Sequence, residues 1–130
     1  MTEITTLKIF LSIAAGFCSY FLGGYDLTLK TMLCLTVIDY ITGIGSAIYK
    51  KKFKASICIK GIFKKVYMYI TVMIAVIIQR FTGDIIPLRE IVIIFYIVNE
   101  GMSALENIGK VIKYPERLRE VFSQLNDKNV

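Results

Sequence analysis

Long runs without charge organise this chain. Seventeen uncharged residues separate Lys8 from Asp26, fourteen separate Lys65 from Arg80, and Asp39 alone interrupts the nineteen between Lys30 and Lys50. A further apolar run, IVIIFYIV, occupies 91–98. A helix needs about 20 residues, rising 1.5 Å each, to cross roughly 30 Å of hydrocarbon. The runs therefore predict an all-α integral membrane protein with four transmembrane helices, over about 9–24, 28–49, 62–81 and 86–108. The third is free of charge and flanking polarity only over 66–78, so its full length depends on Lys64 and Lys65 snorkelling to the interface. The fourth opens at Pro87, a residue suited to a helix start. A soluble domain of this size shows much of its surface to water and has no interior large enough to hide so many apolar stretches.

The polar residues inside these spans are patterned too. In the second, Asp39 is followed by Thr42, Gly43 and Ser46 at helical spacing, giving one polar stripe. In the fourth, Asn99, Glu100, Ser103, Glu106 and Asn107 fall on one side, while Ile93, Ile94, Ile97, Ala104 and Ile108 cover much of the other. Ser12, Gly16, Ser19 and Gly23 line one face of the first span, where they allow close packing. An acid near the centre of a span costs about 2.5 to 3.5 kcal/mol on insertion scales, and each Leu or Ile returns only a few tenths. Asp39 and Glu100 therefore require protonation, a polar partner on a neighbouring helix, or water in an assembled pore. The sequence leaves all three open. Glu106 and Asn107 lie near the membrane edge, where a local salt link to a basic connection competes with a role in conduction.

Charge in the connections sets the orientation. The segment 50–65 holds seven lysines, Lys50, Lys51, Lys52, Lys54, Lys60, Lys64 and Lys65, and no acid. These read as topology signals and as an anchor to anionic membrane lipid. The tail after Gly109 is basic as well. In the first connection Asp26 and Lys30 nearly cancel, as do Arg80, Asp84, Arg89 and Glu90 in the third. Both termini and the lysine-rich connection are thus expected in the cytoplasm, with residues 1–109 forming the bundle and 110–130 a basic tail. Within the tail, Pro115 to Leu125 predicts a short amphipathic helix with Leu118, Val121, Phe122 and Leu125 on one face. It suits the inner leaflet, residues 50–65 or a neighbouring subunit equally; Asn126 to Val130 read as disordered.

Composition narrows the chemistry. The chain is 55% hydrophobic and 20% charged, with a net charge of +6, three cysteines and no histidine. Lacking histidine, it has no triad, no zincin motif and no histidine metal site. Cys18, Cys34 and Cys58 form neither a CxxC motif nor a disulfide framework and read as small packing residues. No P-loop, GxGxxG or GxSxG is present. We expect no enzyme, no cofactor, no metal and no nucleic acid partner, since the positive residues flank apolar runs. The apolar N-terminal run continues past the length of a signal peptide without a convincing cleavage pattern, so it reads as a retained span.

Asp39 with Thr42 and Gly43, then Ser56, Gly61 and Lys64 with Lys65, then Asn99-Glu100-x-x-Ser103-x-x-Glu106-Asn107, and finally Pro115 with Leu118 form a pattern that resembles the phage holin group containing the clostridial toxin-secretion holins. The resemblance runs from the second span to the terminal helix, and its most specific element is NExxSxxEN. Ala55 departs from it, standing where a second small polar residue beside Ser56 is expected. The resemblance implies a protein that accumulates in the cytoplasmic membrane of a Gram-positive host, assembles with copies of itself into lesions, and releases endolysin or a large toxin as cargo. It also implies that Asn99, Glu100, Ser103, Glu106 and Asn107, with Asp39 and Gly43, serve oligomerisation or line the pore. A small proton-coupled exporter or ion channel, and an antiholin that restrains holin assembly, are the competing functions.

Overall fold

A computed structural model describes residues 2–127, the side chains of 125–127 apart. The described residues form five helices and no strand: α1 (Thr2–Phe21), α2 (Leu27–Tyr49), α3 (Ala55–Phe81), α4 (Leu88–Gly109) and α5 (Glu116–Asp127). The first four are long and apolar enough to cross a membrane. The all-α expectation with four spans holds, but the boundaries move. α1 begins at Thr2 and α3 at Ala55, where the apolar pattern started the spans near residues 9 and 62. Hydropathy finds the part of a helix that sits in hydrocarbon, and nothing in these polar leading segments stops the backbone from winding earlier. α3, at 27 residues, is about 40 Å long and exceeds the hydrocarbon by roughly two turns.

Local chemistry sets the other ends. α1 stops at Phe21 because Gly23 and Gly24 take φ of 82° and 107°, and the Gly24 N–H donates back to Ser19 O at 2.8 Å. Asp26 then caps α2, its carboxylate accepting from the Leu29 N–H at 3.0 Å. Pro87 stands at the cap of α4 and not inside it. A side chain from another helix completes that cap: Gln79 Oε1 of α3 accepts from the Arg89 N–H at 2.9 Å.

Short connections make successive spans antiparallel, so α2 and α4 run parallel. These two pack along most of their length; α3 lies against α4 and meets α2 only locally. The apolar core, Leu22, Leu29, Met32, Val72, Val76 and Ile93, gathers at the end where α1 turns into α2 and α3 into α4. That end is called the turn end below, and the end carrying residues 50–54 the lysine end. α1 reaches the core only through its last turn: it has no buried residue of its own, and space around Gly16 is open. Its small-residue face is therefore open at Gly16, while Gly23 just beyond its end lies against Arg89 and Val76. Phe10, Ile13, Phe17, Ile41 and Ile74 are among the large apolar side chains facing outward, as a lipid-facing surface requires.

The tail helix α5 forms as predicted and extends to Asp127, so Asn126 and Asp127 are helical where disorder was expected. The remainder of that expectation, residues 128–130, lies outside the described residues. Phe122 meets the Tyr114 ring at 5.9 Å, and Tyr114 donates to Leu105 O of α4 at 3.1 Å. The middle of α5 is thereby linked through Tyr114 to α4 of the same chain, while Leu118 and Val121 stay exposed.

Candidate functional site

Where α2, α3 and α4 pass one another toward the lysine end, their polar residues meet. The Lys65 ammonium donates to Asp39 Oδ2 and to Glu100 Oε2, joining all three helices through one side chain. The three side chains are 16%, 11% and 8% exposed, which places them inside the bundle and not on its lipid face. One lysine balances one carboxylate, so with both acids ionised the trio carries a net negative charge. Asn107 supports Asp39 from the other side, its amide reaching Asp39 Oδ1 at 3.1 Å, Asp39 O at 3.2 Å and Thr42 Oγ1 at 3.3 Å. A Cβ at Gly43 would stand 3.4 Å from that amide nitrogen, so glycine lets α4 approach closely here. One turn toward the turn end, the Tyr69 hydroxyl donates to Thr36 Oγ1 at 3.1 Å and ties α3 to α2.

The trio does not fill the space between the helices. A groove of about 650 Å³ opens beside it, with Asp39, Gly43, Lys65, Glu100, Ser103 and Asn107 on its floor and Asn99 at its margin. A second, apolar cavity of about 420 Å³ lies on the opposite side of Lys65, between α2 and α3. The ion-paired cluster thus bridges a gap in the bundle.

The structure brings together Asp39, Gly43, Asn99, Glu100, Ser103 and Asn107, and separates Glu106 from them. Glu106 is exposed and turns toward α5, sharing a pocket with Tyr114, Arg119 and Phe122. The five named residues of NExxSxxEN spread over about 120° of the helix with Glu106 at one edge, so the motif divides between the groove and the tail. The lysines divide as well. Lys50, Lys51 and Lys60 stand away from the groove, Lys52, Lys54 and Lys64 line it, and Lys65 is drawn inward. The predicted outward, anchoring position does not describe Lys65, because Gly61, Lys65, Tyr69, Val72 and Val76 share the face of α3 that turns to the other helices. That register, ending in two buried valines, was the signal in the sequence.

A second charged feature went unpredicted. Arg89, 4% exposed, crosses the turn end and donates to Leu22 O at 2.5 Å, to Gly24 O at 3.0 Å and to both Asp26 oxygens at 2.8 and 3.1 Å. Paired with the Arg89 guanidinium, and helped by the Leu29 N–H, the Asp26 carboxyl sits at about 2 against an ordinary 3.8, despite some loss of water. The expectation treated Arg89 as one of four cancelling loop charges. Its register with Ile93, Glu100 and Ala104, all buried, is again the sign that it faces inward.

Comparison with known proteins places this architecture. The profile of the Bacteriophage holin family matches residues 16–127. An uncharacterised protein of Clostridium perfringens is 33% identical over 113 residues, 85% of this chain and 84% of that protein. An uncharacterised protein of Listeria monocytogenes is 37% identical over 103 residues, 78% of this chain and 74% of its own length. A protein of Bacillus phage phi105 named a probable holin is 30% identical over 105 residues, 77% of this chain and 78% of that one. No solved structure matches.

Proposed function

The chain belongs to the bacteriophage holin family, and from that premise we propose that it accumulates in the cytoplasmic membrane of a Gram-positive bacterium until copies assemble laterally and open a lesion that releases endolysin or a large protein toxin. It is a holin-type, multi-pass membrane protein. The observation that carries the proposal is the Asp39–Lys65–Glu100 trio set in an open groove. An acid at this depth costs about 2.5 to 3.5 kcal/mol on insertion scales. In a single copy the lysine and Asn107 meet only part of that cost, because one cation serves two carboxylates. When grooves of neighbouring copies face one another, water enters and hydrates the same groups. The gain is several kcal/mol per subunit, which makes assembly depend steeply on density and gives lysis a threshold. Loss of the membrane potential adds to the trigger, at about 2.3 kcal/mol per charge per 100 mV.

The test is inducible expression in a bacterium with and without a co-expressed muralytic enzyme, followed by leakage of reporters of graded size. Abrupt release of a cytoplasmic protein, and lysis only with the enzyme, is the expected result. Selective ion or dye flux without protein release identifies an exporter or channel, and delay of another holin's lysis without any of its own identifies an antiholin. Glu100→Gln should shift the time of lysis; unchanged timing at normal membrane levels removes the trio from the mechanism.

A further inference from the structure

We propose that the groove beside the trio is a discrete binding site for one anionic phospholipid, with its phosphate headgroup at Lys52, Lys54 and Lys64 and an acyl chain along the apolar wall. The site is specific in composition and not a general attraction of a basic surface for the leaflet. Of the seven lysines between 50 and 65, these three line the groove's rim, and none has an ion-pair partner among the described residues. α3 adds to their field: it starts at Ala55 with no acid in its first turn and no side-chain cap. Behind the rim the wall is apolar, formed by Ile44, Phe53, Ile57, Met68 and Tyr96. At about 650 Å³ the groove is within the range of about 300 to 1,000 Å³ that holds small ligands.

Placement supports the same occupant. From Lys54 to Lys64 the rim runs about 15 Å along α3, and the excess length of that helix puts its first turns at headgroup level. A phosphate held there has its chains pointing into the bilayer along the groove, whose lining runs down α3 from Ile57 to Thr71. Basic pockets between membrane helices take anionic headgroups by this arrangement of charge. The inference concerns binding alone and stands whether or not the protein forms lesions.

The experiment uses the full chain purified in dodecyl maltoside and an acyl-labelled phosphatidylglycerol. We expect one saturable site per chain, displaced by unlabelled phosphatidylglycerol but not by phosphatidylcholine with the same chains, nor by inorganic phosphate. K52Q/K54Q/K64Q should weaken binding by about a hundredfold, at about 1 kcal/mol per lysine. K50Q/K51Q/K60Q, which removes equal charge outside the groove, should weaken it by about threefold or less. Ala47→Leu keeps every lysine and narrows the groove, and should weaken binding too. Equal weakening by the two triple variants, or unsaturable binding, reduces the site to diffuse attraction. Displacement by phosphate alone removes the acyl chain from it, and groove cross-links to another copy that persist under saturating phosphatidylglycerol make that copy the occupant. Each of these overturns the proposal. The headgroup comparison needs only the unaltered protein, so a variant that misfolds leaves the test intact.

Discussion

The turn end and the lysine end of this bundle handle buried charge in opposite ways. At the turn end one arginine is buried, and its donors are spent on two backbone carbonyls, on Asp26 and more distantly on Glu90, carboxylates that are each nearly half exposed and keep some of their water. The charge is satisfied and the helices are closed around it. At the lysine end one lysine serves two carboxylates, both largely buried, and a groove opens beside them. The first arrangement has no use for a neighbouring copy. The second is balanced only in part, and a second copy, a proton or water improves it. In lipid the hydrophobic effect does not press helices together, so polar contacts and close packing decide where a bundle is tight. That difference assigns stability to one end and change to the other.

Removing Lys65 breaks the contrast most severely. Lys65→Met leaves two acids facing each other without a cation, and breaking a buried pair by deleting one partner costs about 3–5 kcal/mol. Detergent unfolding by added dodecyl sulfate, followed by helical circular dichroism, should show the loss, and D39N/K65M/E100Q should recover much of it. If Lys65→Met unfolds like the parent, the trio does not hold the lysine end together. Arg89→Ala comes next. It strands two carbonyls and costs about 1.5–3 kcal/mol on the same assay, while Asp26 can turn to water. The two ends should also differ in what moves. Spin labels on α1 and α4 should separate in Arg89→Ala and stay in place in Lys65→Met.

Much of this architecture was legible in the sequence, and what escaped was of one kind. The charge-free runs gave four spans because hydrocarbon thickness dictates length. Asp39, Glu100 and Asn107 declared themselves by cost, since polar groups inside a span demand partners. Lys65 and Arg89 did not, because each stands at the margin of a run, where a long cation can as readily snorkel outward as turn in. Charge counting assigned both to connections; only their register with buried apolar residues one and two turns away shows the direction. Helix starts such as Thr2 and Ala55 were hidden for a different reason, since hydropathy reports the solvent around a helix and not its hydrogen bonds.

Gly23→Ala probes the fit of the turn end more gently. At φ 82° a Cβ is strained by about 1–2 kcal/mol, and here it would also stand 2.5 Å from Arg89 Nε. Dodecyl sulfate unfolding should register this as a loss smaller than that of Arg89→Ala. In Gly23→Ala/Arg89→Ala the steric part should vanish, so the two effects should be less than additive. Full additivity would mean that Gly23 does not adjoin the guanidinium.

The smallest effect is the pH dependence of the turn end, and its sign follows from Asp26. The folded carboxyl titrates at about 2 and the unfolded one near 3.8, so folding favours the ionised form. Its contribution is fully present above pH 4 and is lost as pH falls from about 4 through 2. Because half the side chain is exposed, water screens the pair, and the contribution is no more than about 1 kcal/mol. Between pH 7 and 5 this group should leave stability flat, and Asp26→Asn should remove the decline it causes below pH 4. The spin-label distance between α1 and α4 isolates this end from the trio, which lies well over a Debye length away along α4. If acid loosens that distance equally in the parent and in Asp26→Asn, the response belongs to Glu90, which Arg89 Nη1 meets at 3.3 Å, and the closed end owes nothing to its pair with Asp26.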